Sequence, residues 1–202
     1  MTPEETAQSY DNLAYYWNGD KFNRENGVKQ HQKALLFTEN RGRAIDIGCG
    51  SSGRIIEWLL AEGFEVEGLD ISPEMLRFAK QRHPKQIFYL ADICKWNFPR
   101  KYDFISAWDS IWHAPLAEHE AILEKLCNGL KEEGILIFTS GGVDEPSDGS
   151  NPFLGQPLYH AALGIPKLLE IISANGCICR HLEYDQKHAG EGHIYLIVQK
   201  IE

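Results

Sequence analysis

A glycine-rich turn is the strongest chemical signal in the sequence. It reads Asp46-Ile47-Gly48-Cys49-Gly50-Ser51-Ser52-Gly53 and contains the pattern Gly-x-Gly-x-x-Gly between an apolar run and an amphipathic one. Glycines let the backbone approach a ligand closely, and the free amides at the start of a helix favour a negatively charged group. Taken by itself, the motif is also compatible with a tight turn that binds nothing.

Carboxylates stand at the ends of the next two apolar runs. Asp70 follows Gly48 by about 20 residues, the spacing at which a carboxylate can accept hydrogen bonds from both hydroxyls of a ribose. Asp92 ends the third run, where it can accept a hydrogen bond from an adenine amino group, with Ile71 and Ile93 as apolar walls for the ring. A single aspartate of this kind usually caps a turn, but acids at successive strand ends predict a nucleoside-containing ligand.

The elements that must position these residues alternate between strand and helix. Short apolar runs predict strands at 44–47, 66–69, 87–90, 102–107 and 135–139, with amphipathic stretches between them, which is the rhythm of βαβ units. Residues 1–40 predict a helical cap, and residues 177–183 and 193–199 predict a terminal antiparallel hairpin. The glycine- and proline-rich residues 140–164 predict a long irregular loop.

These residues resemble those of the class I S-adenosylmethionine (AdoMet)-dependent methyltransferases, over roughly 44–138. In that family the first strand ends in an acid two positions before the first glycine, as Asp46 does here. The resemblance implies that the glycine turn borders the methionine moiety and that the end of the fourth strand passes beside the sulfonium. The cofactor-binding residues that we expect are Asp46, Gly48, Cys49, Gly50, Asp70, Ile71, Met75, Asp92, Ile93 and Trp108.

The resemblance also implies an architecture. It is a Rossmann-like α/β fold whose seven-stranded, mostly parallel sheet has the order 3-2-1-4-5-7-6, with strand 7 antiparallel and helices on both faces. We expect a single domain over 1–202, with the helical cap at 1–40 and the core at 41–202 carrying the loop insertion at 140–164.

The implied reaction is in-line transfer of the AdoMet methyl group to an oxygen or nitrogen of a small molecule, which leaves S-adenosylhomocysteine. Such a reaction gains mainly from positioning and exclusion of water, although the acceptor can need a base. His113 and His160, with Asp109, are the catalytic candidates by residue type and by placement after strands four and five. His113 can instead cap a helix, and His160 can lie in solvent.

Aromatic residues are the candidates for contact with the acceptor. Tyr16 and Trp17 can close over a sulfonium or an alkylamine, and Tyr159 stands next to His160. The alternative is that the N-terminal aromatics only pack the cap onto the domain.

Two other functions remain open at this point. A nicotinamide-dependent oxidoreductase fits the glycine motif and Asp70, but Asp46 and the lack of a Tyr-x-x-x-Lys pair disfavour it. A catalytically idle AdoMet-binding module is compatible with the lack of a compelling base. No Asn/Asp-Pro-Pro-Tyr/Phe motif follows strand four, where Trp108-Asp109 stands, so the likeness does not extend to methyltransferases of nucleobase amino groups.

Metal binding is not expected. No second cluster of Asp and Asn suggests a magnesium site, and His188, Glu191 and His193 are better interpreted as a solvated turn than as metal ligands.

The composition of the chain predicts its number of domains, its partners and its location. The chain has 202 residues, of which 43% are hydrophobic, which suits one globular domain with a full core. Its net charge of −9 disfavours nucleic acid as a partner. The five cysteines form no CxxC pair and no stretch reaches the ~18 apolar residues of a membrane span, so we expect a cytoplasmic protein with reduced thiols, a small-molecule partner and no membrane contact. The oligomeric state is not determined by the sequence.

Overall fold

A computed structural model describes residues 1–20, 22–188 and 191–201 and shows an α/β fold. The helices are α1 (Pro3–Asn18), α2 (Val28–Ala34), α3 (Arg54–Ala61), α4 (Pro73–Arg82), α5 (His119–Asn128) and α6 (Ile165–Ala174), with short 3₁₀ turns at Leu35–Phe37, Ile111–His113 and Leu116–Glu118. The strands are β1 (Arg43–Ile47), β2 (Glu65–Asp70), β3 (Ile87–Leu90), β4 (Tyr102–Ala107), β5 (Leu130–Gly141), β6 (Ser147–Phe153), β7 (Gln156–Ala162), β8 (Cys177–His188) and β9 (Glu191–Lys200).

The main sheet has seven strands in the order β3-β2-β1-β4-β5-β9-β8. Strands β1 to β5 run parallel to one another, whereas β9 is antiparallel to both β5 and β8. The predicted order and the antiparallel last strand are therefore confirmed, since β8 and β9 are the sixth and seventh strands of this sheet. The order reverses between β1 and β4, and ligands of open parallel sheets bind at such a switch point.

The core lies on both faces of the sheet because alternate residues of a strand point to opposite sides. Ile105 of β4 packs with α5 and α6 on one face, and its neighbour Phe104 packs with α3 on the other. All six residues of β4 are buried, as expected for a central parallel strand covered by helices.

The N-terminal cap begins with a well-formed helix. Thr2 and Glu5 form a capping box at the start of α1, which satisfies two backbone amides that a helix start otherwise leaves free. The Asp11 carboxylate on α1 accepts hydrogen bonds from the Ser72 hydroxyl and from the Glu74 amide, and these bonds tie the cap to the start of α4.

Residues 140–164 correct one prediction, because they contain the hairpin β6–β7 rather than an irregular loop. Its turn is Leu154-Gly155, with φ of 48° and 80°, a pair of positive angles typical of two-residue hairpin turns. Leucine rarely occupies such a position, and Pro152 and Pro157 lie opposite each other near the turn. The composition therefore hid a regular element.

The terminal strands β8 and β9 extend beyond the predicted 177–183 and 193–199. Among the described residues, no helix combines the length and the apolar character that crossing a membrane requires.

Candidate active site

A cavity of about 410 Å³ lies at the carboxyl ends of β1, β2 and β4, within the size range of small-ligand sites. The glycine turn and the residues after β2, β3 and β4 form one side of it. Helix α1, the 3₁₀ turn at Ile111–His113 and the hairpin β6–β7 cover the other side. The cavity therefore joins the predicted cofactor residues to the predicted catalytic ones.

The glycine turn has two parts with different physical roles. Gly48 has φ of 72°, and a Cβ at this position would lie 2.3 Å from the Cβ of Ser110, so this glycine allows the turn to pack against the segment after β4. Gly50 has φ of 63° and faces open space, with no atom within 4 Å of where its Cβ would stand. Gly50 thus leaves its side of the turn free for a ligand, and Gly48, Cys49 and Gly50 all line the cavity.

Asp70 connects this turn to the start of α4. Its carboxylate accepts hydrogen bonds from the amides of Gly50 (2.8 Å) and Ser72 (2.9 Å), and its side chain lines the cavity. Burial raises the pKa of Asp70 to about 6, although the amide hydrogen bonds oppose the shift. Each oxygen keeps a further lone pair that can accept a hydrogen bond from a ligand hydroxyl.

Asp92 provides an acceptor at the end of β3. Its Oδ1 accepts a hydrogen bond from the Cys94 amide (2.9 Å), whereas its buried Oδ2 has no hydrogen-bond partner within the described part of the chain. Ile71, Ile93 and Met75 line the cavity nearby. The same Oδ2 lies 3.7 Å from the ammonium of the exposed Lys95, beyond hydrogen-bond distance. A planar ring that carries an amino group fits this combination of apolar walls and one acceptor without a hydrogen bond.

Asp46 is placed differently from the other predicted cofactor residues. It is buried and does not line the cavity. It forms a hydrogen bond with Ser106 of β4, and burial raises its pKa to about 7. Ser106 in turn forms a hydrogen bond with His31 (3.1 Å). Asp46 therefore belongs to a buried hydrogen-bonded group behind the glycine turn.

His113 lies at the centre of a hydrogen-bonded group on the covered side. Its Nδ1 faces the carbonyl oxygen of Tyr159 (2.7 Å) and therefore carries the proton, because a carbonyl oxygen can only accept. Its Nε2 then accepts hydrogen bonds from the hydroxyl of Tyr10 (2.6 Å) and from the indole of Trp112 (2.8 Å). Burial lowers the pKa of His113 to about 4, so the ring is neutral near pH 7.

Tyr10 is a site residue that the sequence analysis missed. It lines the cavity, and burial raises the pKa of its phenol, with the charges of Asp70 and Asp109 adding to the effect. Its helical spacing with other aromatics on α1 indicates packing just as well, and no local signal links it to His113.

Asp109 lies on the cavity wall in a left-handed backbone conformation, with φ of 52°. Its amide donates to the Thr139 hydroxyl (2.9 Å), and its carboxylate accepts a hydrogen bond from the Asn26 side chain (3.0 Å). Arg54, which also lines the cavity, approaches to 3.9 Å. Arg54 was missed as well, although its place directly after the glycine turn is a usable signal. A cation and an anion thus stand together beside the turn.

His193 of β9 lies between two carboxylates. Its Nε2 contacts Asp109 (3.2 Å), and its Nδ1 contacts Asp185, which also accepts a hydrogen bond from Gln30 (3.0 Å). Burial alone would lower the pKa of His193, but the bonds to Asp109 and Asp185 outweigh it and raise the pKa above its usual value. This ring therefore holds Asp109 in place.

The remaining candidates divide between the cavity and its outer wall. His160 lines the cavity, with its ring centroid 5.0 Å from that of His113. Trp17 also lines it and stacks on Phe153 of the hairpin at 5.5 Å. Tyr16 packs against Phe153 without lining the cavity.

Tyr159 points away from the cavity, because neighbouring residues of a strand face opposite sides. Its hydroxyl accepts a hydrogen bond from the Leu116 amide (3.2 Å). Of the residues considered as metal ligands, the side chains of His188 and Glu191 lie outside the described residues, and His193 is bound as above. The described residues contain no group of three or more His, Cys, Asp or Glu that could hold a metal ion.

Comparison with known proteins shows which sequences and folds this chain resembles. Residues 45–138 match the family described as "Methyltransferase domain". The trans-aconitate 2-methyltransferase of Rhizobium etli is 38% identical over 109 residues, covering 52% of this chain and 41% of that protein. The phosphoethanolamine N-methyltransferase of Plasmodium falciparum is 26% identical over 141 residues, covering 67% of this chain and 53% of that protein. The chain thus spans roughly half or less of the length of these relatives.

Solved structures share the fold. An S-adenosylmethionine-dependent methyltransferase from Clostridium acetobutylicum superposes with a TM-score of 0.72 at 15% identity, covering 96% of this chain and 99% of that one. The DhpI-SAM-HEP complex superposes with a TM-score of 0.72 at 17% identity, covering 96% of each chain. The fold is therefore that of the class I methyltransferases. Residues 45–138 therefore match a methyltransferase domain, and the chain shares its fold with S-adenosylmethionine-dependent methyltransferases.

Proposed function

We propose that this chain transfers the methyl group of AdoMet to an oxygen or nitrogen of a small molecule. The observation that carries the proposal is a single cavity with the glycine turn, Asp70 and Asp92 on one side and the Tyr10–His113 pair on the other. Relatives whose names specify a small-molecule acceptor, such as trans-aconitate, support it.

The cofactor side fits AdoMet group by group. The Asp70 carboxylate would accept hydrogen bonds from the ribose hydroxyls, and the Oδ2 of Asp92, which has no hydrogen-bond partner among the described residues, would accept one from the adenine amino group. Arg54 and Asp109 place opposite charges beside Gly50, which matches the carboxylate and ammonium of an amino acid. Asp46 would act indirectly, by supporting the turn.

When bound, AdoMet supplies an activated methyl group that leaves sulfur by in-line displacement, so the protein contributes mainly positioning. Helix α1 and the hairpin cover one side of the cavity and would limit the access of water to the reacting groups. The Tyr10 hydroxyl donates its hydrogen bond to His113 and therefore presents only lone pairs to the cavity, where it can accept a hydrogen bond from the reacting group.

The candidate catalytic residues then have distinct roles. His113, whose pKa of about 4 makes it a weak base, positions Tyr10. Asp109 binds at the cofactor end, and His160 contacts the acceptor. Trp17 would contact the acceptor directly, whereas Tyr16 and Tyr159 would shape the wall from behind.

The test compares Tyr10→Phe with Tyr15→Phe, a matched change at an exposed tyrosine of the same helix that does not line the cavity. S-adenosylhomocysteine formation is measured with an acceptor found by screening. We expect Tyr10→Phe to lower kcat about 100-fold, because the acceptor loses its alignment, and Tyr15→Phe to leave it unchanged.

Three outcomes would contradict parts of the proposal. Full activity of Tyr10→Phe removes the role given to Tyr10. Binding of AdoMet without turnover of any acceptor indicates an idle binding module. Tight binding of NAD without binding of S-adenosylhomocysteine indicates an oxidoreductase instead.

A further inference from the structure

The half of the cavity opposite the glycine turn is lined mainly by aromatic rings. We call this half the acceptor end, and its residues are Tyr10, Trp17, Trp112, Phe153, Leu158 and His160. Trp17 and Phe153 stack with an interplanar angle of 20°. The Trp112 ring meets that of His160 edge-on, with centroids 6.3 Å apart. Such surfaces favour a planar, weakly polar ligand.

Positive charge is scarce at this end. Arg54 is the sole Arg or Lys among the described residues that line the cavity, and it lies beside the glycine turn, with its guanidinium over the ring of Phe22 and hydrogen-bonded to the Asn26 carbonyl oxygen (2.9 Å). His193 is engaged by two carboxylates, and His113 uses both ring nitrogens.

An anionic acceptor would therefore lack adequate counter-charge. The free energy that a carboxylate or phosphate loses on leaving water must be compensated by cations or several hydrogen bonds. The histidines next to the acceptor-end rings are His160 and His113, and His113 already uses both of its ring nitrogens. The acids that line the cavity, Asp70, Asp92 and Asp109, add repulsion.

Tyr10 further limits which chemical group of the acceptor can react. Because the Tyr10 O–H donates its hydrogen bond to His113, its oxygen can only accept at the cavity, so it selects a group that carries a hydrogen-bond donor. A carboxylate has no such donor. A hydroxyl has one, but it becomes a good nucleophile only after losing its proton to a base, whereas an amine combines an N–H with a free lone pair.

We propose that the acceptor is an uncharged aromatic or heteroaromatic amine, held between the rings of the acceptor end with its N–H group donating to the Tyr10 oxygen. The inference rests on the proposed function. The nitrogen lone pair forms the new N–C bond, the electrons of the S–C bond go to sulfur, and the surplus N–H proton is released to water.

The experiment measures binding to the full chain saturated with S-adenosylhomocysteine. The probes are 5-aminoquinoline, aniline, quinoline-5-carboxylate, trans-aconitate and phosphoethanolamine. We expect 5-aminoquinoline to bind at least tenfold more tightly than quinoline-5-carboxylate, which has the same ring system. With AdoMet in place of the product, mass spectrometry should detect its N-methyl derivative.

Substitutions of the acceptor-end rings test whether these rings bind the amine. Trp112→Leu and Phe153→Leu should each weaken 5-aminoquinoline binding at least fivefold, with S-adenosylhomocysteine affinity within twofold of wild type as the check on folding. Tyr15→Leu removes an exposed ring outside the cavity and should change neither affinity.

The inference is overturned if the carboxylate, trans-aconitate or phosphoethanolamine binds as tightly as the amines, or if neither amine binds while S-adenosylhomocysteine does. Failure of S-adenosylhomocysteine to bind contradicts the proposed function itself, so the two failures are distinguishable.

Discussion

Asp70 and Asp46 are both buried acids near the glycine turn, yet only Asp70 reaches the cavity. Burial raises both pKa values from the usual 3.8, to about 6 and about 7 respectively. A raised carboxyl pKa means that the buried ionised form is disfavoured. With a pKa of about 6, Asp70 is about half ionised at pH 6, and its charged form, which can accept hydrogen bonds on both oxygens, predominates about one pH unit higher.

The raised pKa of Asp70 predicts that the affinity for the cofactor depends on pH. S-adenosylhomocysteine should bind more weakly as the pH falls from 8 to 5, because protonation removes acceptor capacity from Asp70 below about 6. At pH 8, Asp70→Asn should weaken binding by about 1 to 3 kcal/mol and flatten the dependence near pH 6. Isothermal titration calorimetry measures both.

Asp46→Asn is the matched control for this experiment. It removes a buried carboxylate beside the same turn but outside the cavity, so the decline of affinity near pH 6 should remain. An affinity of the wild-type protein that is constant between pH 8 and 5 would contradict the assignment of Asp70.

At the scale of elements, the β1–α3 connection shows how one motif serves both folding and binding. Gly48 lets the turn approach Ser110, and its amide and that of Cys49 donate to the Leu69 carbonyl oxygen (2.7 and 3.0 Å), which fastens the turn to β2. Gly50 faces open space and donates to Asp70 (2.8 Å).

Alanine substitutions separate these two roles. Each one places a Cβ in the left-handed region at a cost of about 1 to 2 kcal/mol, but at Gly48 the new Cβ also collides with Ser110. We expect Gly50→Ala to lower Tm by about 2 to 8 °C, and Gly48→Ala to lower it further because of the collision.

Affinity for the ligand should instead depend mainly on Gly50. Gly50→Ala should reduce S-adenosylhomocysteine affinity in a protein that is still folded, because its methyl group occupies ligand space. Thermal denaturation and ligand titration of the two variants check this. Equal losses of Tm, or an unchanged affinity of Gly50→Ala, would contradict the division of roles.

The cover of the cavity is also built at this scale. Helix α1 and the hairpin β6–β7 meet through the stack of Trp17 on Phe153 and through a hydrogen bond from Asn12 to Gln156 (2.9 Å). Two elements distant in sequence thus cover the same side of the cavity, and in the proposed reaction they would limit the access of water.

At the scale of the whole molecule, ligand binding should increase the free energy of unfolding. A ligand that binds only the folded state at 100 times its Kd adds about 2.7 kcal/mol. For a chain of 202 residues, S-adenosylhomocysteine should therefore raise Tm by roughly 5 to 10 °C. NAD at the same concentration should leave Tm unchanged. A thermal shift assay decides the matter, and a larger shift with NAD would contradict the choice of cofactor.

Much of this architecture follows from local patterns in the sequence. Apolar runs, glycine turns and helix caps act over a few residues, so they predict the parallel strands, the helices between them and the strand ends that carry Asp70 and Asp92. The sheet order followed from the family resemblance. The hairpin β6–β7 escaped prediction because its prolines and its Leu154-Gly155 turn resemble a loop.

Only the tertiary structure decided which side chains, distant in sequence, meet at the site. Tyr10 and His113 are 103 residues apart, and Asp109 and His193 are 84 apart, so no local pattern connects them. The alternation of β7 turns His160 into the cavity and Tyr159 away from it, a choice that depends on how the strand is packed. Sequence determines which residues can form elements, because that depends on neighbours along the chain. Which side chains meet depends on packing between distant segments.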